Sequence, residues 1–272
     1  MTLGGESDTL SPMILDGRVL AEIVAAELKS RVAGKTVALS VVLVGNNPAS
    51  IKYVTSKQKR AREIGIVCDI IALPETVSEV ELLKVIGELN ANEKVNGVMV
   101  QFPLPKHLNQ VRVANAIDPK KDVDGLNKHG DFMPATVRGI EKLLEHYLFG
   151  QNFNLDGKVA VVVGRSDVVG KPAADMLLAH EGTVIVCHEK TRDLASFTRQ
   201  AEILVVATGK IGLIKPDFVK DGAVIIDVGT EGDVEKECFE KASAFTPVPG
   251  GVGPMTVVSL IENTVAASGG AL

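Results

Sequence analysis

The sequence predicts an α/β protein with mainly parallel sheets, divided into two domains. Three observations carry that expectation. Short β-branched and aliphatic runs alternate with stretches whose apolar positions recur at helical spacing. One apolar run passes directly into a glycine-bounded turn, a helix and a second strand, the order of a dinucleotide-binding unit. The 272 residues amount to roughly two domains at about 150 residues each.

Residues 1–12 read as a flexible leader, with order expected from Met13. Leu20, Ile23, Val24, Leu28 and Val32 predict a helix over Arg18–Ala33, closed by Gly34. Val37–Val44 is almost wholly apolar and suits a strand covered on both faces. After the turn Gly45-Asn46-Asn47-Pro48 comes a charged helix over about Ala49–Ile64, then a strand over Val67–Ala72. Ser78 and Glu81 form a capping-box pattern for a helix over Ser78–Asn92, and Gly97–Val100 reads as a buried strand. Pro103, Pro105, Pro119 and Pro134 punctuate the middle, before a helix over Thr136–Leu148 that Gly150-Gln151-Asn152 interrupts. The domain change is placed across this stretch. Beyond it, Val159–Val163, Thr183–Cys187, Ile203–Val206 and Ala223–Asp227 are expected strands, with helices over Gly170–Leu178 and about Met255–Ala267.

The 29 basic and 34 acidic residues, a formal net charge of −5, argue against a non-specific nucleic-acid or anionic-membrane binder. A composition 46% hydrophobic and 23% charged excludes wholesale disorder. No apolar run nears the ~18 residues of a membrane span, and the N-terminus lacks the basic and apolar regions of a secretory signal. Cys68, Cys187 and Cys238 are too few and too scattered for a disulfide framework or zinc site. His107, His129, His146, His180 and His188 make no metal-binding spacing, so no metal is expected. The expected setting is reduced and cytoplasmic.

Several constellations can carry chemistry. Gly164-Arg165-Ser166-Asp167-Val168-Val169-Gly170 follows an apolar strand and opens a helix, where small residues and free N–H groups suit a pyrophosphate. Ser166 and Val169 stand where G-x-G-x-x-G requires glycine, so by itself the turn also fits an ordinary strand–helix corner. Glu189 lies 25 positions beyond Gly164, where a carboxylate commonly binds the ribose of NAD, while Arg165, Lys190 and Arg192 favour the 2′-phosphate of NADP. It also fits a solvated loop charge. Tyr53 and Lys57, four residues apart on one helix face, can offer a stacking ring and a proton-transfer amine. Lys52, Lys59, Arg60 and Arg62 equally suggest a wet helix face. Gln101 follows the Gly97–Val100 strand, on the ligand-binding edge of a parallel sheet. Asp124 can accept N–H bonds from an amino-pyrimidine edge, or sit in a polar turn. Residues 247–256 hold three prolines and three glycines, a backbone path more typical of a site than of a plain loop.

In this order YVxxK, VQFPLP, KDVDG, VVGRSxVVGxP and PVPGGVGPMT resemble the bifunctional methylenetetrahydrofolate dehydrogenase/methenyltetrahydrofolate cyclohydrolase family, across about Met13–Thr264. The resemblance implies two α/β domains with a cleft between them. Residues 1–135, completed by 255–272, would form the folate-binding catalytic domain; residues 136–254 would form a Rossmann-like NAD(P)-binding domain. It implies catalytic roles for Lys57, the proton-transfer group, and for Tyr53, Gln101 and Asp124. Tyr53, Gln101, Asp124, Pro249, Gly250 and Gly251 would bind the folate substrate. Gly164, Arg165, Ser166, Val169, Gly170, Glu189, Thr208, Gly209 and Thr230 would bind the cofactor, expected to be NADP, with NAD possible because of Glu189. A homodimer through the cofactor domain is implied as well. Three departures stand out: Glu189 where the family often has serine, Val137 where it commonly has proline, and a shortened segment after Asp227-Val228-Gly229.

Overall fold

The computed structural model describes residues 11–269. The leader expected over residues 1–12 falls mostly outside them, as do the last three residues of the chain. Two all-parallel sheets organise the chain.

The first half comprises β1 (Met13–Ile14), α1 (Gly17–Val32), β2 (Ala38–Val44), α2 (Pro48–Ile64), β3 (Val67–Leu73), α3 (Glu79–Ala91), β4 (Gly97–Val100) and α4 (Gln110–Ala116). Strands β3-β2-β4 form a three-stranded sheet. Local chemistry sets the helix ends. The Asp16 carboxylate accepts from Arg18 N and Val19 N to start α1, and Asn47 caps α2 ahead of Pro48. The Ser78–Glu81 capping box forms as expected. Strand β2 is buried along its length except at Ala38, which is why its sequence is nearly all apolar.

The second half comprises α5 (Ala135–Leu144), β5 (Val159–Val163), α6 (Gly170–Ala179), β6 (Thr183–Cys187), α7 (Leu194–Thr198), β7 (Ile203–Val206), β8 (Val224–Asp227), β9 (Ala244–Phe245) and α8 (Val252–Ala267). The six-stranded sheet runs β1-β9-β8-β7-β5-β6. Its outer strand β1 comes from the beginning of the chain, held by Met13 N to Ser243 O and Leu15 N to Phe245 O, both 2.8 Å. Residues 13–14 therefore sit with the second sheet, unlike the rest of the first half. Strand β5 lies between β6 and β7, so the chain leaves β5 on one side and returns on the other. That is a topological switch point, which opens a crevice at the carboxyl ends of the strands.

The helix expected over Thr136–Leu148 is α-helical only to Leu144; Glu145–Phe149 is π-helical and ends at Gly150. Helix α8 begins three residues earlier than expected, because Gly251 is its N-cap and Pro254 fits its first turn. It packs on α5 and α1. Charge is buried along that contact: Glu262 meets Lys142 at 3.0 Å, and Glu141 meets Arg138 at 2.7 Å and His180 Nε2 at 2.9 Å. Val137 is fully buried in this core. Among the described residues no helix is long and apolar enough to cross a membrane.

Candidate active site

Helix α2 carries Tyr53 and Lys57 one turn apart, with opposite fates. The Tyr53 ring is exposed, while Lys57 is only 7% exposed. The Lys57 ammonium donates to Gln101 Oε1 at 3.1 Å and lies 3.6 Å from Met99 Sδ. The Gln101 amide is oriented by its other end, since Nε2 donates to the Phe102 carbonyl at 2.6 Å. A flipped amide would set donor against donor and acceptor against acceptor. Burial pulls the Lys57 pKa below its ordinary value, and the nearby Asp124 carboxylate works against that shift. Desolvation in turn raises Asp124, and the Lys57 charge offsets it. The wet-face alternative for α2 therefore holds for Lys52 and Lys59 and fails for Lys57.

Asp124 sits in a loop that the sequence left open between a binding segment and a polar turn. Asp122 is fully buried beneath it, and its Oδ2 accepts from Asn127 N at 2.5 Å. Asp122 Oδ1 is buried with no hydrogen-bond partner among the described residues. Desolvation pushes this carboxyl up to about 6. From α8, Asn263 Nδ2 donates to Val123 O at 2.9 Å and Met133 O at 3.2 Å, tying both ends of the loop to the last helix. Neither Asp122 nor Asn263 was singled out from the sequence; an aspartate two residues before Asp124 was the one available signal.

Pro249, Gly250 and Gly251 dock on the start of α1. Arg18 N donates to Gly250 O at 3.1 Å, and a Cβ on Gly17 would overlap the Gly251 carbonyl oxygen. Two of the loop's special residues thus serve close backbone packing. Their hydrogen bonds run to Arg18 and Pro247, not to Lys57, Gln101 or Asp124.

A second site opens at the switch point. Gly164, Arg165, Ser166, Glu189 and Thr208 line a cavity of about 450 Å³ beyond β5, β6 and β7, together with His188, Thr191 and Lys210. Gly164 has φ +127°, and a side chain there would drive into the Ala207 carbonyl of the neighbouring strand. Gly170 is required because its Cβ would overlap Gly164 O. Ser166 Oγ accepts from Val169 N at 3.2 Å and Gly170 N at 3.3 Å, so the N-cap and first helical N–H groups are satisfied within the turn. Val169 and Gly170 shape the turn from behind the cavity wall. Thr230 is exposed in the loop after β8 and is not on the wall. Arg165 Nη2 donates to Glu189 Oε1 at 2.8 Å, and that guanidinium holds the Glu189 carboxyl down at about 2.

The segment after Gly229 is closed by carboxylates. Asp227 Oδ1 accepts from Gly229 N and Asp233 N, and its Oδ2 from Val234 N. Buried Asp233 Oδ2 accepts from Thr208 N at 2.7 Å, Thr208 Oγ1 at 2.8 Å and Gly209 N at 2.8 Å. It braces the strap that forms one cavity wall. Sequence reading missed it because nothing local marks an acceptor for groups 24 and 25 residues upstream.

Residues 15–124 match the catalytic domain of tetrahydrofolate dehydrogenase/cyclohydrolase, and residues 134–271 match its NAD(P)-binding domain. Relatives called bifunctional protein FolD include one from Lactococcus lactis subsp. cremoris, 45% identical over 94% of this chain and 96% of that protein. Another, from Moorella thermoacetica, is 46% identical over 94% and 98%. The crystal structure of the bifunctional FolD dehydrogenase/cyclohydrolase from Campylobacter jejuni aligns with a TM-score of 0.89 at 41% identity, covering 94% of this chain and 98% of that one. The Trypanosoma brucei enzyme, complexed with NADP cofactor and an inhibitor, aligns with a TM-score of 0.88 at 32% identity over 94% and 97%. With both of its halves matched in order and relatives spanning nearly its whole length, the chain belongs to the tetrahydrofolate dehydrogenase/cyclohydrolase family.

Proposed function

We propose that the chain oxidises 5,10-methylenetetrahydrofolate to 5,10-methenyltetrahydrofolate with NADP and then hydrolyses the product to 10-formyltetrahydrofolate at the same site. The observation that carries this reading is the buried Lys57 amine, hydrogen-bonded to Gln101 and within the field of Asp124. A lysine whose pKa is lowered by burial gives up its proton at a lower pH than an exposed amine and can take it back, as ring opening of the methenyl cation requires. Gln101 holds Nζ in one orientation. Asp124 accepts from the amino-pyrimidine edge, Tyr53 covers the ring, and Pro249–Gly251 complete the pocket. Hydride loss from the one-carbon bridge needs no general base, so the protein's part in that step is alignment.

The dinucleotide, when bound, supplies the hydride acceptor. The cavity fits it: the site lies at the switch point, beside the α6 N-terminus, and carries Arg165 and Lys210. Gly164, Arg165, Ser166 and Thr208 would hold it directly; Val169, Gly170 and Gly209 would act through the backbone of turn and strap. The division near residue 135, with α8 returning to the first domain, belongs to the same proposal and is supported by the packing of α8 on α1. So does a homodimer through the cofactor domain, supported by the open edge strand β6 and its exposed Val186. A cytoplasmic location agrees with three buried free thiols.

The test is spectrophotometric: methylenetetrahydrofolate with NADP or NAD, in parallel with decay of added methenyltetrahydrofolate. Reduction of NADP together with methenyl decay is expected. Methenyl decay with no reduction of either cofactor would leave a cyclohydrolase alone, and silence in both channels would overturn the reading.

A further inference from the structure

The Arg165 guanidinium, which the sequence offers to the 2′-phosphate of NADP, already has a partner. Its Nη2 donates to Glu189 Oε1 at 2.8 Å, and both residues line the same cavity. Paired strands hold them there. Arg165 follows β5 and Glu189 follows β6, whose register sets Val163 beside Cys187, and Gly164 N donates to Cys187 O at 2.8 Å. A group bound to Arg165 is therefore bound next to the Glu189 carboxylate.

The two cofactors meet this pair differently. The 2′-phosphate of NADP brings about −1.5 to −2 of charge. It must share the guanidinium with Glu189 or displace Glu189 from it, and then remain beside a carboxylate of the same sign. An exposed ion pair is weak, so it can be broken; the repulsion that follows persists. The 2′-hydroxyl of NAD brings no charge and can donate to the same carboxylate.

We propose that Glu189 is the cofactor-selecting residue of this chain: by occupying Arg165 it handicaps the 2′-phosphate of NADP while offering an acceptor to the 2′-hydroxyl of NAD. The inference rests on the dehydrogenase reading above and adds what decides between its two cofactors. Lys210 lines the same cavity and keeps NADP binding possible, so the carboxylate sets a ratio and not an absolute bar.

The experiment is fluorescence titration of NADP and NAD into the full chain and its Glu189→Ser and Glu189→Gln variants, at low and physiological salt, with a thermal melt of each. In both variants NADP should bind roughly tenfold more tightly, an effect shrinking with salt as a charge effect must. NAD should bind several-fold more weakly to Glu189→Ser. Opposite movements separate selection from damage, which weakens both cofactors alike. An unchanged ratio, or equal shifts for both, would overturn the proposal. Binding with the shifted ratio but no oxidation of methylenetetrahydrofolate would keep the inference and sink the dehydrogenase reading. Absence of binding by either dinucleotide would sink both.

Discussion

Replacing Lys57 by methionine should remove ring opening and make the protein more stable. The activity side follows from the role of the amine: a positioned proton-transfer group contributes about 10²–10⁴-fold, or about 3–5 kcal/mol of barrier. The stability side follows from its surroundings. Folding lowers the Lys57 pKa from 10.5, so the protonated form is disfavoured in the native state. Below the lowered value that penalty is present in full; it is relieved as pH rises toward 10.5, because the unfolded chain then binds more protons than the folded one. Methionine has similar length, carries no charge and meets Met99 Sδ, now 3.6 Å from Nζ. Two losses oppose the gain. Gln101 Oε1 loses its donor, but it is half-buried and water can replace it. Asp124 loses an attracting charge, and its already raised carboxyl rises further. Replacing a whole buried charge group by apolar volume is neutral to stabilising by about 1–4 kcal/mol; here Lys57 alone is removed and Asp124 stays, so the net gain is at the low end, about 1 kcal/mol. At about 2–4 °C per kcal/mol the melting midpoint rises by a few degrees. Decay of methenyl absorbance and a circular-dichroism melt at pH 7 report the two sides. Hydrolysis surviving within tenfold of wild type would refute the role of the amine, and a melt several degrees lower would refute the electrostatic argument.

Three further outcomes are expected. Wild-type hydrolysis should rise with pH as Lys57 loses its proton, with a midpoint below 10.5, and a flat pH–rate profile would count against a lysine base. Folding raises Asp122 from 3.8 to about 6, so the native state binds more protons between those values and stability declines as pH rises through them, by at most about 3 kcal/mol. Urea titrations of wild type and Asp122→Asn at pH 4 and 7 test this; the decline should be smaller in the variant by the Asp122 contribution. Asp233→Ala strands Thr208 N, Thr208 Oγ1 and Gly209 N, at a cost of about 3 kcal/mol. It should raise KM for the dinucleotide well above its effect on KM for the folate, and the reverse split would show that the strap does not serve the cofactor.

The elements legible in the sequence are those long enough to show a period or bounded by strong punctuation. Val37–Val44, the Ser78 capping box and the strand ending at Val163 fall where the sequence puts them, to within a residue. The missed elements are short. Strands β1 and β9 have two residues each, helix α4 seven and helix α7 five, too few for alternation or helical spacing to register. In the candidate site, Lys57 and Gln101 are four and one residues from landmarks that the sequence displays, Tyr53 and Val100. Their 3.1 Å contact spans 44 positions and no pattern encodes it.

The sequence by itself determined the class of the protein: parallel α/β halves, a phosphate-type turn after an apolar strand, and a proline-glycine loop whose dihedrals few residues can adopt. These are local properties, set by side-chain periodicity and backbone sterics. Only the tertiary structure decided which charges are buried and which are paired. Lys57 and Lys59 sit two residues apart on one helix, yet the first lies under Met99 and Gln101 and the second in solvent, because burial depends on what packs against the helix. In the same way β5 and β6 bring Arg165 to Glu189 across 24 positions, and β1 joins a sheet whose other strands begin at residue 159. Desolvation and Coulomb attraction act through space, so which of the candidate groups tune one another was decided only once the chain had folded around them.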